Sequence, residues 1–444
     1  MRLITAQGEP LTLAGELGRG GEGAVHALRE RADLVAKRYH QPPPPAQQAK
    51  LRWMAAQHDA ALAALCAWPQ HTLHAQRGGP VLGFTMPRLS GFEPIHRVYG
   101  PLDRWALMPN AGWDALVAIG RALAAAFAAL HARGHCVADV NQGNVVVARD
   151  GRVRLIDADS FQIDASGTLH RCEVGVGHFT PPELQGAASF HGLTRCARHD
   201  DFGLALLLFH LLMGGRHPFA GVPVADAAAD EPALEDDIRA LRYAYAPDAA
   251  RRGRRAPPRS VPTTLLPPAM QAMFTQAFTE RGRIDRPTAA QWQAALDALH
   301  ASLRRCRADP LHAYPPHLPT CPWCALAACG VIHFLPRTLR EAGAPAAAEL
   351  AALWARIDAV APPPPLVLPS VPAASAATPL PADVPDARRA RLWRALPLLL
   401  AAALLGWAPA AWPFVLLVAA MGWLVAGSFI TLPRLREHRR RQQT

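Results

Sequence analysis

His135-Cys136-Val137-Ala138-Asp139-Val140-Asn141-Gln142-Gly143-Asn144, followed at once by Val145-Val146-Val147, is the stretch whose reading decides the fold. A carboxylate and an amide stand five residues apart, and the amide runs straight into an apolar segment short enough for a buried strand. Thirteen residues after Asn144, Leu155-Ile156-Asp157-Ala158-Asp159 sets another carboxylate at the end of a second short apolar run. Asn144–Ala148 and Val153–Ile156 therefore predict two adjacent strands with acidic and amide groups at their ends.

Upstream, Gly18-Arg19-Gly20-Gly21-Glu22-Gly23-Ala24-Val25 fits G-x-G-x-x-G-x-V. Glycines let a backbone approach phosphates closely, with amide N–H groups as donors. A dinucleotide fold needs a helix directly after the glycines. Here Val25-His26-Ala27-Leu28 reads as a strand. Twelve residues after Val25, Val35-Ala36-Lys37 ends an apolar strand with a lysine. Taken singly, the glycines could be a hairpin turn, Lys37 a surface lysine and each aspartate a turn former. Four such elements in one order make coincidence a poor explanation.

Together these segments resemble the eukaryotic-like (Hanks-type) Ser/Thr protein kinase superfamily. They are most similar to a divergent bacterial branch with D-V-N-x-x-N and I-D-x-D-S-F-Q motifs, here Asp139–Asn144 and Ile156–Gln162. The resemblance implies an α+β, bilobal fold, a small β-rich N-lobe before a larger helical C-lobe, with ATP and Mg²⁺ as cofactors. It implies that Gly18, Gly20, Gly23, Val25, Lys37 and Met86 bind the nucleotide, with Met86 as gatekeeper and Pro87 to Ser90 as hinge. Asp139 would orient a protein substrate's Ser or Thr hydroxyl, and Asn144 and Asp157 would ligate Mg²⁺. Members of the branch associate with PP2C-type phosphatases and von Willebrand A-type proteins, which are the partners the resemblance implies. Thr180-Pro181-Pro182-Glu183 resembles the A-P-E motif and Asp200–Ala205 the D-x-W-S-L-G helix start. Arg286 resembles the arginine that pairs with the A-P-E glutamate, which predicts a buried Glu183–Arg286 ion pair.

Several positions depart from the pattern. Ala138 replaces the H-R-D arginine, Asn141 the catalytic-loop lysine, and Val176 the threonine before A-P-E. Gln47 to Ala64 contains no Glu for Lys37, leaving Gln48 or Gln57, and after them Asp59, as partners. The nucleotide-facing groups all survive, so a competent kinase is expected. The alternative is a nucleotide-binding pseudokinase acting as a membrane-docked scaffold.

The net charge of +11 raises a nucleic-acid reading, but that needs a basic groove. The arginines instead cluster at 251–255 and on both flanks of Ala395–Leu432, which is 38 residues without a charge. About 20 residues cross a bilayer core, so this run suits two spans. The expected organisation is a kinase-like domain over 8–300, with its N-lobe to about 90 and C-lobe from 91. A zinc-knuckle-like segment over 301–335, a short helix over 336–360 and a Pro/Ala-rich linker over 361–390 follow. Two membrane helices are expected at about 392–408 and 412–431, then a basic tail over 433–444. A single tilted span, a re-entrant hairpin or a buried soluble hairpin are the other readings. No apolar signal segment opens the chain, and arginines flank both sides of the apolar run. The domain and both termini are therefore expected in the cytosol at the inner membrane.

Cys306, His312, Cys321 and Cys324 have spacing C-x₅-H-x₈-C-x₂-C, suited to structural Zn²⁺, with His317 and Cys329 as alternates. A redox pair or core cysteines are the other readings of this segment. Cys66, Cys136, Cys172 and Cys196 are expected to be buried apolar residues.

Overall fold

The computed structural model describes residues 1–224, 233–341 and 359. The described residues up to 341 belong to one compact unit. The expected linker, membrane helices and basic tail lie outside the described residues, as does most of the expected helix over 336–360; of that helix, Arg337–Glu341 is described and is helical. The described part is α+β, with a β-rich beginning and a mainly helical remainder.

Six strands open the chain: β1 (Arg2–Thr5), β2 (Pro10–Arg19), β3 (Gly23–Leu28), β4 (Leu34–Tyr39), β5 (His71–His74) and β6 (Gly83–Pro87). They close into a barrel of order β1-β2-β3-β4-β6-β5. β1 and β5 are too short and polar to stand out in the sequence, yet their antiparallel pairing closes the ring. Closure leaves no strand edge exposed. Leu3, Leu11, Leu13, Leu28, Leu34, Ala36 and Leu73 pack together as the barrel's core. Successive side chains of a strand alternate between faces. With Ala36 inward, Lys37 points to the other side, and Tyr39 shares its face. On that side Tyr39, Leu51, Val81 and Phe84 make a small cluster beneath helix α1 (Pro45–Ala56).

A second sheet, Phe92–Pro94, Val145–Ala148 and Val153–Leu155, carries the chemistry-bearing ends foreseen above. Helix Trp113–His131 carries Leu116, Ile119, Leu123, Phe127 and Leu130 at helical spacing and buries them. Among the described residues it alone is long and apolar enough to cross a membrane, but it packs into the core. Helix Ala197–Leu212 buries every residue from Asp200 to Leu212, so it shows no polar face. Gly203 is needed there, since a Cβ would sit 2.6 Å from Val140 of the Asp139 loop.

The expected Glu183–Arg286 pair forms with two contacts, Arg286 to Glu183 Oε1 at 2.5 Å and to Oε2 at 2.8 Å. Arg286 is fully buried, but Glu183 retains some access to water. Cys66, Cys136 and Cys172 are buried as expected; Cys196 is not, because it caps Ala197–Leu212 at the surface of the core.

Candidate functional site

The hairpin between β2 and β3 holds the glycines. Gly20 N–H donates to the Gly23 carbonyl at 2.8 Å. A Cβ at Gly18 or Gly21 would meet nothing within 4 Å, while one at Gly23 would lie 2.4 Å from the Arg38 carbonyl. Gly23 is thus required by its neighbouring strand, and Gly18 and Gly21 face open space. Val25 sits between Gly18 and Lys37 in the strand register, so the loop, Val25 and Lys37 are juxtaposed. Met86 lies next to Val35 on β6, before Pro87.

The second sheet brings the distant acidic and amide groups together. Val145 pairs with Leu155, and the Asn144 carbonyl accepts from Ile156 N–H at 2.9 Å. Asn144 and Asp157 therefore lie at the same end of an antiparallel pair. Asn144 Nδ2 donates to Asp139 Oδ2 at 3.0 Å. Lys37 Nζ donates to Asp157 Oδ1 at 2.8 Å. Burial pushes the Asp139 carboxyl above its usual range, against the donors of Asn141 and Asn144, and the charge of Asp157 adds to the rise. Lys37, Asp139, Asn144 and Asp157 thus face a common space.

Asp139 Oδ1 is buried and meets no hydrogen-bond donor among the described residues. An unpaired buried acceptor carries a desolvation cost, and such orphans call for a reason. The backbone holds strain on both sides of the space, since Ala138 (φ 64°) and Asp157 (φ 58°) are left-handed non-glycine residues. The first is held by buried Asp200, whose carboxylate accepts from the N–H groups of Val137 at 2.7 Å and Ala138 at 2.8 Å.

The proposed partners of Lys37 are corrected by the structure. Gln48 instead bonds the Pro43 carbonyl and Val81 N–H. Gln57 is exposed at the end of α1, and Asp59 caps the helix Ala60–Leu65. The second partner of Lys37 is Asp159, through both oxygens at 2.9 and 2.7 Å. Burial works to lower the Lys37 pKa, but Asp159 and then Asp157 more than offset it, so the ammonium is held above its ordinary range. The sequence reading gave Asp157 the metal and left Asp159 without a task; only the missing glutamate in α1 hinted that another carboxylate had to serve Lys37.

Two further roles escaped the sequence reading: that of Asn141, read there only as replacing the catalytic-loop lysine, and that of Arg195. Asn141 builds the loop: its Oδ1 accepts from Gly143 N–H at 2.8 Å. Arg195, buried, donates to the carbonyls of Ala138 at 3.2 Å and Val174 at 3.3 Å. A guanidinium thus reaches the loop although position 138 has none.

Far along the chain, Cys306, His312, Cys321 and Cys324 converge, their ligand atoms all within 4.8 Å of one another. Cys306 and His312 come from a hairpin that pairs Arg304–Arg305 with Ala313–Tyr314. Cys321 opens the helix Pro322–Ala328, and Cys324 lies one turn in. The helix is seated by Trp323, which is buried against Trp113 and Phe334. Alternates His317 and Cys329 take no part: His317 bonds the Thr264 carbonyl, and Cys329 is exposed.

No protein-family model matches the chain. It is 53% identical over 368 residues to protein kinase YegI of Escherichia coli O157:H7, covering 83% of this chain and 57% of that protein. It is 52% identical over 370 residues to protein kinase YegI of Escherichia coli strain K12, with the same coverage. The chain spans little more than half the length of these curated relatives. With that identity across most of its own length, the chain belongs to a protein-kinase-like bacterial family.

Proposed function

We propose that this chain is a membrane-anchored protein kinase that transfers the γ-phosphate of ATP to Ser or Thr hydroxyls of a protein. The observation that carries the reading is the meeting of Lys37 with Asp157 beside Asn144 and Asp139, whose orphaned Oδ1 is an acceptor without a donor. A substrate hydroxyl is the donor it lacks. On this reading the barrel and α1 are the N-lobe, and the helical remainder is the C-lobe. The name of the two relatives supports phosphotransfer.

The residues present fit Mg²⁺ and ATP. Asn144 and Asp157 offer hard oxygen ligands, and Gly18 and Gly21 leave room above them. Bound there, Mg²⁺ neutralises phosphate charge that builds during transfer. Lys37 binds phosphate oxygens, Met86 lines the base end, and Asp139 orients the attacking hydroxyl. Catalysis then comes chiefly from positioning and charge stabilisation. Arg195 ties the Asp139 loop to the segment at Val174 without any phosphorylated residue. The absence of an arginine at 138 therefore does not leave that segment untethered.

The cysteine–histidine cluster fits structural Zn²⁺. Tetrahedral bonds of about 2.3 Å to sulfur and 2.0 Å to nitrogen require S···S edges of about 3.8 Å and S···N edges of about 3.5 Å. Cys306 and Cys324 sulfurs are 3.7 Å apart, and His312 Nδ1 lies 3.4 Å from Cys324 and 3.7 Å from Cys321. Metal analysis of the purified chain should find about one zinc per molecule. Cys321→Ser with Cys324→Ser should remove it and lower the unfolding midpoint by several degrees. Wild-type protein free of metal after purification without chelators sinks this assignment.

The membrane anchor rests on the uncharged run within 391–432 and its arginine flanks, which favour a cytosolic domain and termini at the inner membrane. A PP2C-type phosphatase and a von Willebrand A-type protein are the proposed partners beside the protein substrate. The deciding assay uses the 444-residue chain in detergent with radiolabelled ATP, Mg²⁺ and casein. Label in casein is expected. Stabilisation by ATP without any transfer indicates the pseudokinase instead.

A further inference from the structure

We propose that Asp159 is the positioning residue for Lys37, taking the place of a carboxylate on helix α1. The inference rests on the phosphotransfer reading, because there Asp157 is committed to the metal. Lys37 then needs a second carboxylate that stays with it.

Asp159 has the geometry for that task. It is 2% exposed, while the Asp157 side chain is 39% exposed. Both its oxygens bond Lys37, and Tyr39, two residues on along the same face of β4, donates its hydroxyl to Oδ2 at 2.6 Å. The carboxylate is thus fixed from two sides of one strand. Its main chain is fixed too. The Asp159 carbonyl accepts from Gln47 Nε2 at 3.0 Å and from Lys50 Nζ at 2.7 Å.

Gln47 and Lys50 both belong to α1, so this helix exchanges its usual contribution. It sends an amide and a buried cation to the backbone of Asp159, and no anion to Lys37. The charges balance as a set: Lys37 and Lys50 against Asp157 and Asp159. Removing the Asp159 charge leaves Lys37 with the half-exposed Asp157 as its carboxylate and leaves buried Lys50 on a backbone carbonyl. A further consequence is mechanical. The anchor of Lys37 lies two residues from the proposed metal ligand, so a shift of 157–160 moves lysine and metal ligand together.

Two measurements on the 444-residue chain in detergent test this. The first is a thermal-unfolding cycle of Lys37→Met, Asp159→Asn and the double variant. Each single change should lower the midpoint, and the double variant should fall no further than the worse single, since contacting residues couple. Additive midpoints overturn the anchor. If Asp159→Asn does not fold, Tyr39→Phe replaces it in the same cycle under the same criterion. The second is steady-state transfer from ATP. Asp159→Asn should lower kcat about 100-fold with KM for ATP changed less than about threefold, as expected of lost positioning. Exposed Gln57→Ala should change neither. A fall in kcat for Gln57→Ala alone overturns the proposal. Should wild type transfer no label while the cycle is non-additive, the phosphotransfer reading falls and the anchor stands.

Discussion

Alanine at position 157 should cut transfer of label from ATP to casein by about 10³-fold, the scale of losing a preorganised charge-stabilising group. Asp157 sits at the end of the Val153–Leu155 strand in a left-handed conformation, which turns its carboxylate toward Lys37 and the Asn144 end of the neighbouring strand. Its neighbour Asp159 cannot take over, because it faces inward with both oxygens engaged. Asp139 sits across the space and keeps its hydroxyl-orienting task in the proposal. Since Lys37 retains Asp159, the variant should fold and still bind nucleotide. Its unfolding midpoint should stay within a few degrees of wild type, which separates lost chemistry from lost structure. Retention of more than a tenth of wild-type transfer would remove Asp157 from the metal's ligands.

The largest effect on stability is expected at Glu183. Glu183→Ala strands the Arg286 guanidinium, which is 2% exposed and whose Nε already has no hydrogen-bond partner among the described residues. Its remaining bond is to the Arg198 carbonyl at 3.0 Å. Stripping the partner from a buried charge costs about 3–5 kcal/mol. Arg286→Met should cost less, because Glu183 can turn to water. Denaturant unfolding followed by tryptophan fluorescence reads both. Equal costs, or a cost below about 1 kcal/mol for Glu183→Ala, contradict the asymmetry.

The same pair has a pH signature. Burial works to raise the Glu183 pKa, but the hydrogen bonds and charge of Arg286 more than reverse this, holding it below the usual 4.5. A carboxyl with a lowered folded pKa stabilises the protein fully above its unfolded value and loses that contribution as pH falls through the folded one. The gap in stability between wild type and Glu183→Ala should therefore be flat near neutrality and shrink below about pH 4.5.

The sequence by itself determined the order of the motifs, the α+β character, the approximate strands at Val25–Leu28, Leu34–Lys37 and Val145–Ala148, and the Glu183–Arg286 pair. The strands were legible because each rests on local spacing, and the pair was legible through the resemblance of Thr180–Glu183 and Arg286 to kinase motifs. The four-residue cysteine–histidine set was legible from spacing as well: thiols and an imidazole at those spacings have few ways to be arranged.

Only the tertiary structure decided the partner of Lys37. A strand passing through Asp157 and Asp159 would put both carboxylates on one face. The left-handed turn at Asp157 and the 3₁₀ turn Ala158–Ser160 break that alternation, so one carboxylate turns to the open space and the other to the interior. Closure of the barrel by β1 and β5, and the reach of Arg195 to Ala138, were equally hidden. These are contacts between groups far apart along the chain, as Lys37 and Asp159 are by 122 residues. Nothing in local pattern or propensity encodes which of two neighbouring acids will meet a distant base, because packing alone sets that choice.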